Sequence, residues 1–137
     1  MKKLYIPYLY LALVFAQLLH SAEEYFTGFF IYMTKNSHYL HQKTGIIPSL
    51  NVDAETFLIV NIIIVTVMFL ISIFVFKENI FALKLVKIIA LIEVLNGLGH
   101  NIMALLNFSY YSGCISSVLL FILGIMILRS NSEGFNN

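Results

Sequence analysis

Phe57 to Phe76 reads FLIVNIIIVTVMFLISIFVF, and Asn61, Thr66 and Ser72 are its only polar side chains. A helix rises 1.5 Å per residue and needs roughly 20 apolar residues to cross a hydrocarbon core about 30 Å thick. This run meets that requirement without a charge. Working outward, a second apolar stretch begins at Leu4 and runs to Leu19; beyond His20-Ser21-Ala22-Glu23-Glu24 it resumes from Tyr25 to Met33. On the other side, Ile80 to Phe108 is long and apolar but carries Lys84, Lys87, Glu93, Asn96, His100, Asn101 and Asn107, and Cys114 to Leu128 is short and uncharged. Lipid offers a backbone no hydrogen-bond partners, so an open sheet is excluded, and too few residues remain for a closed barrel. The pattern predicts an all-α protein: a four-helix transmembrane bundle in one integral membrane domain over 1–137, with spans at about 4–33, 57–76, 80–108 and 114–128.

Composition agrees. Of 137 residues, 60% are apolar and 11% charged, with a mean hydropathy of +0.89. A soluble domain carries about 25% charged residues, so this chain has too few to coat a globule in water. Two prolines, seven glycines and one cysteine exclude collagen-like and disulfide-rich scaffolds. A net charge of +1 offers no basic face to nucleic acid. The lipid bilayer is the expected partner.

Lysine placement predicts orientation. In a four-span chain Lys2, Lys3, Lys77, Lys84, Lys87 and Arg129 share one side, and only Lys35 and Lys43 the other, which puts both termini in the cytoplasm. The same rule makes 34–56 a longer extracytoplasmic loop, with turn chemistry at Asn36-Ser37, Thr44-Gly45 and Pro48-Ser49 and with Ile46-Ile47 against the membrane surface. Met-Lys-Lys followed by an apolar run and Ser21-Ala22 resembles a secretory signal, but position 20 is histidine where a peptidase prefers a small residue, so an uncleaved first span is expected.

The informative residues are those that lipid should have excluded. Ionisable groups inside spans are costly and face a partner or a cavity. His20, Glu23 and Glu24 stand at i, i+3 and i+4, one helical face, which Gln17 extends by a turn; Glu93, Asn96 and His100 stand at i, i+3 and i+7, again one face. His20 lies as far beyond Leu4 as His100 lies beyond Lys84, about 24 Å along each helix, so the two histidines can share a level. Gly97 and Gly99 thin the third span beside the stripe and admit a close neighbour. Imidazole plus carboxylate suits a divalent transition metal (Zn, Fe or Mn), and helical bundles use such sets. His20, Glu24, Glu93 and His100 are the expected ligands; Glu23, Glu24 and Asn96 are the expected catalytic groups, a glutamate serving as general base. His38 and His41 on the loop have poor ligand spacing, Asn61 reads as a packing hydrogen bond, and Asn101 as glue between helices.

At these residues the chain resembles a known family. His20-Ser21-Ala22-Glu23-Glu24 reads H-x-x-E-E, Asn96-x-x-x-His100 follows, and nine residues separate His100 from Tyr110-Tyr111-Ser112-Gly113. This is similar to the HXXEE-domain family of small bacterial integral membrane proteins, whose signature joins H-x-x-E-E, N-x-x-x-H and Y-x-P-G. The likeness spans about 20–113, with Ser112 in place of the proline. It implies a multi-pass protein of the bacterial cytoplasmic (inner) membrane and the same polar residues as a site; it names no reaction.

The expected function is a metal-dependent membrane enzyme, hydrolase or oxidoreductase, acting on a lipid or amphipathic substrate. The alternative is a non-enzymatic proton-coupled carrier, sensor or structural membrane subunit that uses the same residues as a polar core; a four-span carrier implies a homo-oligomer. A metal-free protease of the intramembrane CAAX type is disfavoured. Gly28 occupies the arginine position of its E-E-x-x-x-R motif, and its H-x-x-x-N order is reversed here.

Overall fold

Side chains set most of the helix boundaries. Asp53 opens one helix by accepting the Thr56 N–H at 2.7 Å, and that bond holds its carboxyl below the usual carboxylate range. Asn79 opens the next by accepting the Ala82 N–H at 3.1 Å. Left-handed residues stop or start others, at Gly28 (φ 74°), Gly45 (φ 65°), Phe108 (φ 48°) and Gly113 (φ 82°). The computed structural model describes residues 6–130, and among them are five α-helices and no strand: α1 (Ile6–Phe26), α2 (Phe29–Thr44), α3 (Ala54–Phe76), α4 (Ile80–Asn107) and α5 (Cys114–Arg129). Lys2, Lys3, the expected span start at Leu4 and the polar tail beyond Ser130 lie outside the described residues.

Two expectations are corrected. The stretch 4–33 is not one rod, because Thr27-Gly28 break it into α1 and α2. Nor is 34–56 all loop, since α2 runs on to Thr44, making five helices where the sequence pattern predicts four. The turn signals at Asn36-Ser37 are overridden by long-range bonds. Thr34 Oγ1 accepts the Val52 N–H and Ser37 Oγ the Leu50 N–H, each at 3.0 Å, so 45–53 folds back along α2. The loop histidines serve the same clasp: His38 bonds Asn51 Oδ1 at 2.9 Å, and His41 Nδ1 donates to the Ile47 carbonyl at 2.8 Å.

Among the described residues one helix, α3, is long and apolar enough to cross a membrane, and most of its surface is not buried. Helix α5 is apolar but has 16 residues, and α1 and α4 carry charges. The core gathers Tyr10, Leu13 and Val14 from α1, Met68 and Val75 from α3, Val86 and Ala90 from α4, and Leu120 and Ile127 from α5. Helix α1 packs against α3 and α5, and α5 against α4. Asn61 ties α3 to α1 by accepting the Ser21 hydroxyl at 2.7 Å, and Asn101 ties α4 to α5 by donating to Ser117 Oγ at 2.7 Å.

Glycine brings α4 and α5 together. A Cβ on Gly97 would stand 2.6 Å from the Ser117 carbonyl oxygen, whereas one on Gly99 would meet nothing within 4 Å. Gly97→Ala is therefore expected to force the helices apart and cost about 1–3 kcal/mol. Gly99→Ala, which only removes unfolded-state freedom, should gain about 0.4–1 kcal/mol. Thermal unfolding of the two variants side by side checks the difference in sign.

Candidate metal centre

The last turns of α1 and α4 bring His20, Glu24 and His100 together, and all three are buried. The His20 and His100 rings meet edge to face, with centroids 4.8 Å apart and planes at 87°. Glu24 Oε1 lies 3.4 Å from His20 Nε2 and 3.1 Å from His100 Nε2. One ligand atom from each residue falls within 4.8 Å of the others. Bonds of 2.0–2.1 Å to a tetrahedral ion imply ligand atoms about 3.3 Å apart, which the two distances to Glu24 match.

Hydrogen bonds on the far side of each ring fix where its proton sits. His100 Nδ1 is 2.6 Å from the Ser112 carbonyl, which can only accept, so Nδ1 carries a proton and Nε2 is the nitrogen turned to Glu24. His20 Nδ1 is 3.0 Å from Ser116 Oγ. The Ser116 hydroxyl gives its single proton to Glu23 Oε2, leaving its oxygen to accept from His20 Nδ1–H. His20 Nε2 is likewise the nitrogen turned to Glu24 and, fully buried, makes no hydrogen bond of its own. Two imidazole Nε2 atoms and a carboxylate oxygen converge. Such a set is repulsive unless an added proton or a cation sits at its centre. A histidine that binds metal typically donates its other N–H to a carbonyl or similar acceptor, the arrangement seen on both rings here.

Gly113 makes this convergence possible. A Cβ there would fall 2.8 Å from His20 Cε1 and 2.9 Å from His100 Nδ1. Its φ of 82°, at the mouth of α5, is also a conformation that glycine adopts without strain.

Glu23, adjacent to Glu24, points elsewhere. Its Oε2 accepts the Ser116 N–H at 2.8 Å besides the Ser116 hydroxyl, and its Oε1 accepts the Tyr110 hydroxyl at 2.6 Å and the Ile115 N–H at 3.3 Å. The carboxylate thus caps α5, whose own cap residue Gly113 has no side chain, and its charge opposes the positive end of the helix. Partial burial, and then the bond to Glu23, push the Tyr110 phenol above its ordinary range.

Glu93 is buried on α4, bonded by Asn96, and its Oε2 is a buried oxygen without a partner. It lies near His20 and Glu24, but it is not in the converging group of three. Asn96 is half-buried and lines a cleft of about 270 Å³ that has His100 in its wall. A larger cleft, about 330 Å³, opens between α1 and α3 beside Ser21 and Asn61 and contains none of the three converging residues. Sequence spacing did not reveal Ser116 or the Ser112 carbonyl, because both reach the histidines across the bundle. The two serines in the first turn of an otherwise apolar α5 were the available signal.

A family model described as "Protein of unknown function with HXXEE motif" matches residues 11–128. No curated protein and no solved structure matches the chain.

Proposed function

The chain belongs to the HXXEE family, and from that premise we propose that it is a metal-dependent membrane enzyme holding a divalent transition ion (Zn, Fe or Mn) at His20, Glu24 and His100. The observation that carries the reading is the pair of histidine Nε2 atoms aimed at one carboxylate oxygen in a buried site. Three protein ligands leave a coordination position open, the pattern of catalytic rather than structural zinc. An ion bound there supplies Lewis acidity to a water or carbonyl oxygen. The chain's own groups do the rest. Ser116 and the Ser112 carbonyl hold the imidazoles in one tautomer, Glu23 locks α5 and Tyr110 in place, burial excludes water, and Asn96 presents an amide beside the open side. A hydrolase or oxidoreductase acting on a lipid or other amphipathic molecule fits such a site. Purified protein should carry metal in near-stoichiometric amount, and His100→Ala should lose it; elemental analysis of both decides. Metal-free wild type would end the proposal.

The membrane part of the reading rests on surface chemistry. Helix α3 turns Ile59, Ile62, Ile63, Phe69, Leu70 and Phe74 outward, each about half exposed, a surface that water would not tolerate and lipid would cover. We place α1, α3, α4 and α5 across the bilayer, both termini in the cytoplasm by the lysine distribution, and α2 outside the bundle on the opposite side.

A second reading, a proton-coupled carrier or sensor, is favoured by the unpartnered Glu93 Oε2. It predicts proton-linked solute uptake in proteoliposomes that Glu93→Gln abolishes. Uptake indifferent to that change would remove it.

A further inference from the structure

We propose that the cleft beside His100 holds the hydrocarbon chain of a long-chain carboxylate whose anionic head meets the open side of the His20–Glu24–His100 centre. The inference rests on the metal reading above and adds the ligand class. Phe29, Leu95, Met103 and the Tyr111 ring give the cleft apolar walls, and the Asn96 amide, the Tyr111 hydroxyl and His100 are its polar groups. At about 270 Å³ it takes part of a chain, the remainder of which continues into lipid past Leu95 and Met103, both exposed. The imidazole of His100 is shared: it lines the cleft, packs at 4.9 Å against the Phe29 ring, and points Nε2 at Glu24. Whatever fills the cleft therefore ends beside the centre.

Gly99 supplies the room. It lies within α4, where glycine weakens a helix, and a Cβ on it would meet no atom within 4 Å. Packing gives no reason for a missing side chain there, unlike at Gly97; space for a ligand does.

Charge selects the head group. Two neutral imidazoles and one carboxylate leave a divalent ion with a net single positive charge in a site of low dielectric, where an uncompensated charge is costly. Glu23 is committed to α5, and Glu93 stands outside the converging group. The compensating anion then comes from the ligand, and a carboxylate on an aliphatic chain satisfies both the charge and the walls.

The test uses full-length protein in phosphatidylcholine nanodiscs, loaded with cobalt(II), whose visible absorption bands report the atoms around it. Palmitate should shift those bands at concentrations at least tenfold below those required for acetate, which lacks the chain, or hexadecanol, which lacks the charge. Gly99→Leu, which fills the cleft without reaching a ligand, should keep cobalt but lose the preference for palmitate over acetate. Equal responses to palmitate and acetate, equal responses to palmitate and hexadecanol, or an unchanged preference in Gly99→Leu would overturn the cleft assignment while leaving the metal site standing. The wild-type comparisons hold whether or not the variant folds. Wild type that binds no cobalt overturns both readings.

Discussion

Zinc at a thousandfold excess over its dissociation constant should stabilise chelator-stripped protein by about 4 kcal/mol, and Glu24→Gln should abolish that gain. The size follows from linkage: an ion that binds only the folded chain adds its binding free energy to stability, and the unfolded chain scatters His20, Glu24 and His100 over eighty positions. Glutamine keeps the volume of Glu24 but removes the only carboxylate among the converging three. Without that charge an ion faces two neutral imidazoles in a dry site, which does not repay its lost hydration. The measurement is a thermal melt in detergent, with and without zinc, on wild type and Glu24→Gln. A zinc-induced rise of equal size in both would show that the ion binds elsewhere. No rise in wild type would instead favour protons at the centre, the imidazoles being charged and paired with Glu24.

Gly113→Ala is expected to weaken metal binding by about 100-fold, the upper end of what a change behind the ligands costs. The added methyl would overlap His20 Cε1 and His100 Nδ1 at 2.8 and 2.9 Å, so the rings must shift. His20 is held by Ser116 and His100 by the Ser112 carbonyl, so moving either ring breaks a bond that sets its tautomer. The substitution also places a side chain in a left-handed conformation, at about 1–2 kcal/mol. Gly45→Ala separates the two effects: it shares the positive φ, and its Cβ meets nothing within 4 Å. It should lose stability and keep affinity. Competition against a zinc-chelating dye reads both variants, and equal affinities would dissociate Gly113 from the centre.

The sequence showed where charge interrupts an apolar pattern, and the structure shows which of those charges meet. Helical spacing was enough to place His20 with Glu24, because residues four apart on one helix are neighbours whatever the tertiary fold. The pairing of His20 with His100 was legible only as an equality of depth on two helices. Spacing failed at Glu23, which shares a face with Glu24 on a helical wheel; it misses Glu24's company because α5 offers it two backbone N–H groups and a hydroxyl. It failed again at Gly28, where a single left-handed residue ends α1 although the surrounding apolar pattern continues. The loop 34–56 looked irregular because its turn residues are real, but Thr34 and Ser37 spend their hydroxyls on a distant strand of backbone rather than on breaking α2. Gly97 and Gly99 were read alike, and only the neighbouring helix distinguishes a close approach from an open space.

The dependence of His20 on Ser116 has a temporal consequence. The imidazole belongs to the earliest described helix and the hydroxyl that steadies it to the last, so a ribosome must deliver every helix from α1 to α5 before the cage takes shape. A nascent fragment ending at the close of α4 already holds all three ligand residues yet lacks Gly113, Ser112 and Ser116, the parts that aim them. Under the proposed reading, ion capture then depends on the docking of α5, and a fragment that lacks this helix should not retain metal.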